Sequence, residues 1–484
     1  MTKPLRHTLI FVGILTVLRL GALAFQSLDL GPDEAQYWAW SQAPAFGYFS
    51  KPPIIAWLIA FTTRLAGDGE FAVRMAAPLL HGATALIVYA LTRKLYGERT
   101  GFWSAIVFAT LPAVSFSSAL ITTDVPLLFF WAGALYVLVE ALDRPSLSRA
   151  VLLGALIGLG LLAKYAMAYF FLCAGLAAFL VPGLRKLVLG WFGLVTVLVA
   201  ALVFAPNIVW NMHHGFATVA HTAANANLSQ ELIHPSSLGE FLLTQLGVFG
   251  PILFVALIVV AVQLTKAGKQ ASSPDRLLAC FSLPVIIAAC LVAFLSRANA
   301  NWAAPAYVAA TPLVIEAMLA QNRRIAFTSS LYLHVIAAVV LVAGVAAPGL
   351  ADIAGASNAL KRVRGWGELG GALSLRASEA PYTAVLADDR ELMGELIYYI
   401  LPRRVPVVMW DWDRPPRNHY ELANRIDTKT GARVLFVSLT QDPLDVLRQF
   451  GHVEALGPLT VYPDPAHPRT VYLFDLEGFK PRAN

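Results

Sequence analysis

Charge is scarce in this chain. Asp, Glu, Lys and Arg make up 14% of its 484 residues, against about 25% in a typical soluble domain. Hydrophobic residues reach 57%, and the mean hydropathy is +0.63. That balance excludes an ordinary soluble enzyme and implies a polytopic membrane protein. Cysteine is rare too. Cys173, Cys280 and Cys290 all lie inside apolar runs, where thiols serve as packing residues rather than as a disulfide framework or a metal site. There is no P-loop, no GxGxxG spacing, no tandem repeat and no low-complexity tract. The glycine-rich GELGGALS (367–374) follows no clear strand, which argues against a nucleotide site. The net charge of +6 comes from Lys and Arg dispersed between apolar runs. It speaks of topology rather than of nucleic acid, which needs clustered charge on a soluble face.

A membrane span needs roughly 20 apolar residues. The apolar runs fall at about 7–26, 76–93, 101–119, 124–142, 148–163, 165–181, 187–206, 241–264, 276–295, 303–320 and 326–346. These are about eleven candidate spans. No small-x-small cleavage site precedes Asp33, so the first run reads as an uncleaved span. With the N-terminus in the cytoplasm, alternate connections carry Arg93, Lys94 and Arg99, then Arg144 and Arg149, then Arg185 and Lys186. They continue with Lys266, Lys269 and Arg276, and with Arg323 and Arg324. Short basic inner loops are what the positive-inside rule requires. An odd number of spans puts the C-terminus outside.

That orientation sorts the polar chemistry onto one face. The outer side receives the stretch LDLGPDEAQYWAWSQAPAFGYFSKPPIIAW (28–57). It also receives Thr122-Thr123-Asp124, Lys164, the segment 207–240 with His213, His214 and His221, and the segment 296–302 with Arg297. The inner loops are basic and otherwise bland. The apolar run after Pro52-Pro53 is too short to span. It suits a helix lying in the interface, its start set by the two prolines. Beyond residue 347 charge rises, and short β-like runs appear at 383–388, 405–410, 433–439 and 470–475, with helices expected near 389–400 and 441–450. This predicts a small extracytoplasmic α/β domain. The expected division is therefore a membrane domain, 1–346, carrying the first outer loop 27–75, and a second domain, 347–484.

Asp33 and Glu34 head the candidate residues. Gly-Pro-Asp-Glu is a good helix start, so capping explains such a pair as well as catalysis does. Beside them lie Tyr37, Trp38, Trp40, Tyr48 and Phe49, either an interfacial belt or the wall of a partly dry sugar pocket. Within such a pocket Asp33 could act as a general base. Lys51 is either a snorkelling lysine or a cation that holds a phosphate leaving group. Asp124 is an N-terminal helix residue and a second candidate carboxylate. Lys164, at a span junction, is a functional candidate because ionisable groups there are expensive. Arg74 and Arg297 are further outer cations. His213 and His214 lack a metal-ligand spacing, so no metal is expected.

These residues together resemble a family. The acidic pair, the SKPP segment (50–53) with its interfacial helix, Arg74 before span two and TTDVP (122–126) resemble the GT-C type glycosyltransferases. WNMHHGF (210–216) and NWAAPAY (301–307) resemble later blocks of the bacterial branch. Within that type the chain is similar to the protein mannosyltransferases, the aminoarabinose transferases of lipid A and the galacturonosyltransferases of lipopolysaccharide core. The resemblance covers about residues 28–320 and implies the GT-C fold. It implies a polyprenyl-phosphate-linked sugar donor and inverting transfer to lipid A or lipopolysaccharide, a glycan or a protein. It also implies a multi-pass protein of the bacterial inner membrane, active on the periplasmic side, without cofactor or metal and without nucleic acid. Asp33 falls on the family's catalytic aspartate, and Lys51 on its K-P lysine, with Glu34 and Asp124 as further catalytic candidates. Arg74, Lys164, His213, His214, Arg297, Tyr37 and Tyr48 are the expected donor-phosphate and substrate contacts. The aminoarabinose branch typically carries an acidic residue before that lysine, whereas this chain has Ser50. Two other classes compete. A transporter or flippase calls for charge in mid-span and repeated halves, which the sequence lacks. An envelope assembly factor leaves the cluster of Asp33, Lys51 and Asp124 unexplained.

Overall fold

The computed structural model describes residues 1–225, 233–403, 405–412, 415–464 and 466–481. The chain forms two compact units. One comprises Met1–Phe25, Lys51–Ile55 and Arg74–Val342; the other comprises Gln26–Ser50, Ala56–Val73 and Ala343–Asn484. Most of the first outer loop thus folds with the C-terminal residues rather than with the helices that flank it in sequence.

The first unit is helical. Over the whole described chain seven helices are long and apolar enough to cross a membrane: Lys3–Phe25, Glu70–Tyr96, Asp124–Asp143, Trp191–His213, Pro251–Gln270, Ser273–Leu295 and Arg324–Ala346. Shorter apolar helices are Ile54–Ala66, Leu147–Ala163, Tyr165–Leu180 and Ala306–Ala320. Two expected spans are broken where the sequence carries proline. The run 101–119 gives Glu98–Thr110 and then Pro112–Ser117. The run 241–264 gives Pro235–Val248 and Pro251–Ala267, parted at Gly250 with φ +92. Proline lacks the N–H that would continue the ladder, and glycine accepts the positive φ.

The core of this unit is aromatic and close-packed. Trp131, Phe170 and Phe281 meet edge to face, with centroids 4.9–6.2 Å apart. Small residues bring the helices together. A Cβ on Gly154 would lie 2.5 Å from the Thr196 carbonyl oxygen, and one on Gly158 would lie 2.6 Å from Val203 Cβ. This four-residue spacing of glycines lets Leu147–Ala163 seat directly on Trp191–His213, the usual device where no hydrophobic effect drives helices together. The opposite side of Trp191–His213 exposes Leu194, Leu198 and Leu202, as suits a face turned to lipid.

The second unit is built on a five-stranded sheet in the order β2-β1-β3-β5-β4. The strands are β1 (Ala384–Ala387), β2 (Val407–Met409), β3 (Arg433–Ser438), β4 (Phe450–Val461) and β5 (Arg469–Phe479). β1 pairs parallel with β2 and β3, while β5 pairs antiparallel with β3 and β4. Alternate residues face opposite layers, as the pleat demands. Val385, Ala387, Leu435 and Val437 join Leu369, Leu392 and Leu396 in one layer. Ala384, Leu386, Val434 and Phe436 join Trp410, Ile426 and Val446 in the other. Four strands and the helix Arg390–Tyr399 lie where the sequence predicts them. β4 is the exception: it has no predicted counterpart, and the helix expected at 441–450 shrinks to Leu444–Leu447. As an edge strand with residues 451–457 at most half-buried and two glycines, β4 shows no hydrophobic alternation to read.

Helix Pro32–Ser41 packs within this unit. Trp38 meets Tyr398 edge to face at 4.8 Å and lies under the Arg403 guanidinium at 4.5 Å. Its Nε1 donates to Asp68 Oδ1 at 3.3 Å, and the Tyr398 hydroxyl donates to the Asp68 carbonyl at 2.6 Å. Asp29 accepts from the Trp366 amide at 2.8 Å. Burial pushes the Asp29 carboxyl above its usual range, and that amide works against the shift.

Candidate functional site

Each unit carries a polar cluster that contains residues predicted from sequence. In the helical unit it is centred on Asp124, the first residue of Asp124–Asp143. Lys164 Nζ donates to Asp124 Oδ1 at 2.7 Å, and Asn301 Nδ2 donates to Oδ2 at 2.6 Å. Both carboxylate oxygens are thereby engaged, with the side chains of Asp124 and Lys164 only 9% and 18% exposed. Lys164 sits in extended backbone between the helix Leu147–Ala163 and a short 3-10 turn, Tyr165–Ala168. That break frees its long stem to reach sideways. The next residue continues the seam: the Tyr165 hydroxyl donates to Asn207 Oδ1 at 2.7 Å and accepts from Asn211 Nδ2 at 3.3 Å.

Asp124 and Asn301 also line a cavity of about 670 Å³. Its walls are otherwise nearly all apolar, with Phe108, Val114, Phe116, Leu128, Val340 and Leu341 among them. Polar groups are few: His81, Ser117, Thr122 and Tyr307 join the two already named. A mostly apolar cavity with a few convergent polar groups is the usual form of a ligand site. An aliphatic chain fits its walls, and the Asp124 carboxylate on its lining is the one that Lys164 holds.

In the second unit the cluster is centred on Asp33, in the first turn of Pro32–Ser41. Its side chain is 61% exposed, and Arg390 Nη1 stands 3.2 Å from Oδ1. The same nitrogen donates to Gln36 Oε1 at 2.7 Å. Burial lowers the affinity of Arg390 for its proton, but Asp33 and Glu391 more than offset this, leaving the guanidinium above its ordinary range. Arg390 opens its own helix, capped by Asp389, whose Oδ1 accepts from the amides of Glu391 and Leu392.

Glu34 behaves differently from its neighbour. It is buried, and its Oε2 accepts from the Gly31 amide at 3.0 Å, closing the first turn of the helix. Of the two readings open for this residue, the observed geometry is that of a cap. Tyr37 and Tyr48 are also buried rather than open to a ligand. Tyr48 stacks on Trp40 at 4.6 Å, its hydroxyl donates to the Trp40 carbonyl at 3.0 Å, and it accepts from the Ala45 amide at 3.0 Å. The aromatic stretch is thus a packed clamp that shapes the loop. Burial pushes the Tyr48 phenol up to about 12.

The remaining predicted residues differ in exposure. Arg74 is fully buried, and Lys51 is partly buried just before Ile54–Ala66. Arg297 and His213 are exposed. His214 stacks on Trp210 at 4.0 Å and shares a hydrogen bond with its carbonyl. No group of three or more His, Cys, Asp and Glu side chains among the described residues is arranged to hold a metal. The partners Arg390, Gln36 and Asn207 are not among the residues predicted from sequence. Arg390 lies 357 residues after Asp33, in a segment whose only local signal is the capping Asp389. Asn207 opens the outer segment 207–240, directly after an apolar run, where a lone amide could have been flagged.

The family model described as dolichyl-phosphate-mannose-protein mannosyltransferase matches residues 50–210. The chain is 31% identical over 450 residues to the lipid A galacturonosyltransferase RgtD of Rhizobium johnstonii, a match that covers 90% of this chain and 91% of that protein. It is 31% identical to an undecaprenyl phosphate-alpha-4-amino-4-deoxy-L-arabinose arabinosyl transferase of Pseudomonas fluorescens, over 42% of this chain and 41% of that one. Among solved structures, ArnT from Cupriavidus metallidurans in the apo state aligns with a TM-score of 0.64 at 16% identity, over 96% of this chain and 97% of that one. The same protein bound to undecaprenyl phosphate aligns with a TM-score of 0.61, also at 16% identity, over the same shares. At such identity the likeness is one of fold.

Proposed function

The chain belongs to the GT-C superfamily of membrane glycosyltransferases, in the family of the lipid A galacturonosyltransferase RgtD, and on that premise we propose that it moves a sugar from a polyprenyl-phosphate donor to lipid A or another lipopolysaccharide acceptor. The reaction takes place at the periplasmic face of the inner membrane, with inversion at the anomeric carbon. A sugar outside the cytoplasm has no nucleotide donor and must arrive on a lipid. The observation that carries this reading is an apolar cavity whose polar wall includes Asp124 and Asn301, with Lys164 bonded to that same Asp124. A polyprenyl chain is stabilised by apolar walls, and its phosphate by a desolvated cation already held in place.

Roles follow from chemistry. Asp33 is the base that takes the proton of the acceptor hydroxyl, and Arg390 and Gln36 position it. Lys164 meets the donor phosphate, and Asp124 with Asn301 fixes its direction. Lys51, Arg74, Arg297, His213 and His214 are further candidates for the phosphate and the acceptor. Charge neutralisation by lysine and arginine suffices for a phosphate leaving group, so the reaction needs no metal. A galacturonosyl donor is favoured over an aminoarabinosyl one. RgtD matches along nearly the whole chain, the arabinosyl transferase along less than half of it, and Ser50 replaces the acidic residue typical of the aminoarabinose branch.

Mass spectrometry of lipid A, core glycan and envelope glycoproteins, from strains with and without the gene, tests the proposal. A uronosyl increment on lipid A that disappears with the gene is the expected result. Identical lipid A, core and glycoprotein profiles in both strains would remove the transferase reading.

A further inference from the structure

A second cavity lies in the unit that contains Asp33, and no role assigned so far uses it. It has a volume of about 450 Å³, and Pro32, Lys361, Arg362, Trp366, Glu391 and Arg469 are among the residues that line it. Its character is the opposite of the first cavity. Three permanent cations, Lys361, Arg362 and Arg469, face one carboxylate, Glu391, and His467 adds a ring whose Nδ1 is 2.9 Å from Asp464. Such a volume holds a monosaccharide, and such a charge selects an anion.

The cations are held in place. The Arg469 guanidinium lies 3.5 Å above the Trp366 ring, and its Nη2 donates to the carbonyls of Lys361 and Arg364 at 2.8 and 3.1 Å. Its Nε is buried and has no hydrogen-bond partner among the described residues. Arg362 Nη2 donates to Glu391 Oε1 at 2.6 Å. Glu391 is in turn 3.7 Å from Arg390 Nη2, and Arg390 holds Asp33. An alternating chain of charges, Asp33, Arg390, Glu391 and Arg362, therefore runs from the carboxylate into this cleft. Pro32, the residue before Asp33, forms part of its wall.

We propose that this basic cleft binds the anionic group of a reacting saccharide, a carboxylate or a phosphate monoester, and so sets that sugar beside Asp33. Planar guanidinium groups match both oxyanions, and Pro32, which lines the cleft, is the residue next to Asp33. The anion belongs either to the acceptor or to the transferred sugar. This inference rests on the transferase reading, but its binding step is measurable without turnover.

The test uses full-length protein in detergent and saturation-transfer NMR, with D-galacturonate, glucose 1-phosphate and D-galactose as probes. The two anions are expected to bind and to compete with each other, and neutral galactose is not. K361Q/R362Q, two substitutions on exposed side chains, is expected to weaken anion binding roughly tenfold. R469M serves as a second variant, accepted only if Trp fluorescence reports an intact fold. Galactose binding as well as galacturonate, or anion affinity unchanged in K361Q/R362Q, would overturn the proposal. Initial rates with undecaprenyl-phosphate-galacturonate and lipid A then identify the source. In K361Q/R362Q a raised KM for lipid A assigns the anion to the acceptor, and a raised KM for the donor assigns it to the transferred sugar. If neither KM moves in an active enzyme, the cleft takes no part in the reaction. If wild-type protein transfers nothing, the transferase reading fails, and the binding data alone decide the cleft.

Discussion

Arg390 Nη1 stands 3.2 Å from Asp33 Oδ1 and 2.7 Å from Gln36 Oε1, so one guanidinium nitrogen ties the carboxylate to the next turn of its own helix. Asp33→Asn keeps the shape and removes the base. Transfer is expected to fall about 10²–10⁴-fold, measured as lipid A modification by membranes with matched protein levels. Arg390→Ala is expected to lower kcat about tenfold or more with KM little changed, and Arg390→Lys to recover part of the loss. Equal effects of Ala and Lys on kcat and on thermal stability would reduce Arg390 to a structural residue.

Removing one partner of a buried, hydrogen-bonded ion pair strands the other. Lys164→Met removes the cation from the Asp124 carboxylate and leaves it the neutral Asn301 amide. A loss of about 3–5 kcal/mol is expected, read as a lower thermal midpoint of the detergent-solubilised protein. Lys164→Met/Asp124→Leu removes both charges and is expected to regain stability but not activity. Recovery of transfer in that double variant would exclude Lys164 from the donor phosphate.

Asp388 gives a pH dependence with a definite sign. Burial pushes its carboxyl up to about 6, while the Ser438 hydroxyl, donating at 2.8 Å, works the other way. An acid whose folded pKa is raised stabilises the fold below its unfolded value, near 4. That contribution is lost as pH climbs through about 6, at a cost of roughly 3 kcal/mol. Asp388→Asn mimics the neutral form. At pH 7.5 hydrogen exchange in β1 and β3 is expected to slow relative to wild type, and by about pH 4 the difference should vanish.

Helix Trp366–Arg376 meets the end of Arg390–Tyr399 at a glycine. A Cβ on Gly370 would lie 2.3 Å from Tyr399 Cβ and 2.7 Å from its carbonyl oxygen. Gly370→Ala must therefore push the two helices apart, at about 1–3 kcal/mol. Tyr399 holds the Leu30 amide through its hydroxyl at 2.6 Å. The same substitution is thus expected to speed proteolysis in residues 26–31. An unchanged cleavage rate there would show that the helices yield without disturbing the loop.

Lys429 is exposed in the second unit, whereas the native thiols lie in the apolar helices. Lys429→Cys is expected to react with a membrane-impermeant maleimide added to spheroplasts. Labelling only after the membrane is broken would place this unit in the cytoplasm and remove the lipid-linked donor argument with it.

The membrane class, the positions of most helices and the alternating basic loops were legible because apolar run length and Lys/Arg placement are local signals. The central strands were legible for the same reason: β1 and β3 are continuous apolar runs. β4 was not, since an exposed edge strand carries no hydrophobic face. At the candidate site, Asp33, Asp124 and Lys164 stood out as charges where charge is expensive, and Glu34 stood open between a cap and a catalytic role. Arg390 and Asn301 did not stand out as partners. Their importance lies in pairings 357 and 177 residues long, and no local pattern encodes those. The tyrosines misled in the other direction, because a stacked, hydrogen-bonded ring and a sugar platform have the same composition.

Asp29, Leu30, Asp33 and Gln36 all take partners that are synthesised more than 300 residues later, on Trp366, Tyr399 and Arg390. A nascent chain can therefore thread its helices into the bilayer long before its first loop is shaped. The proposed base reaches its working geometry only when the last fifth of the polypeptide has folded. On the proposed reading, a chain terminated before Arg390 that still reaches the membrane would carry its base without the guanidinium that positions it.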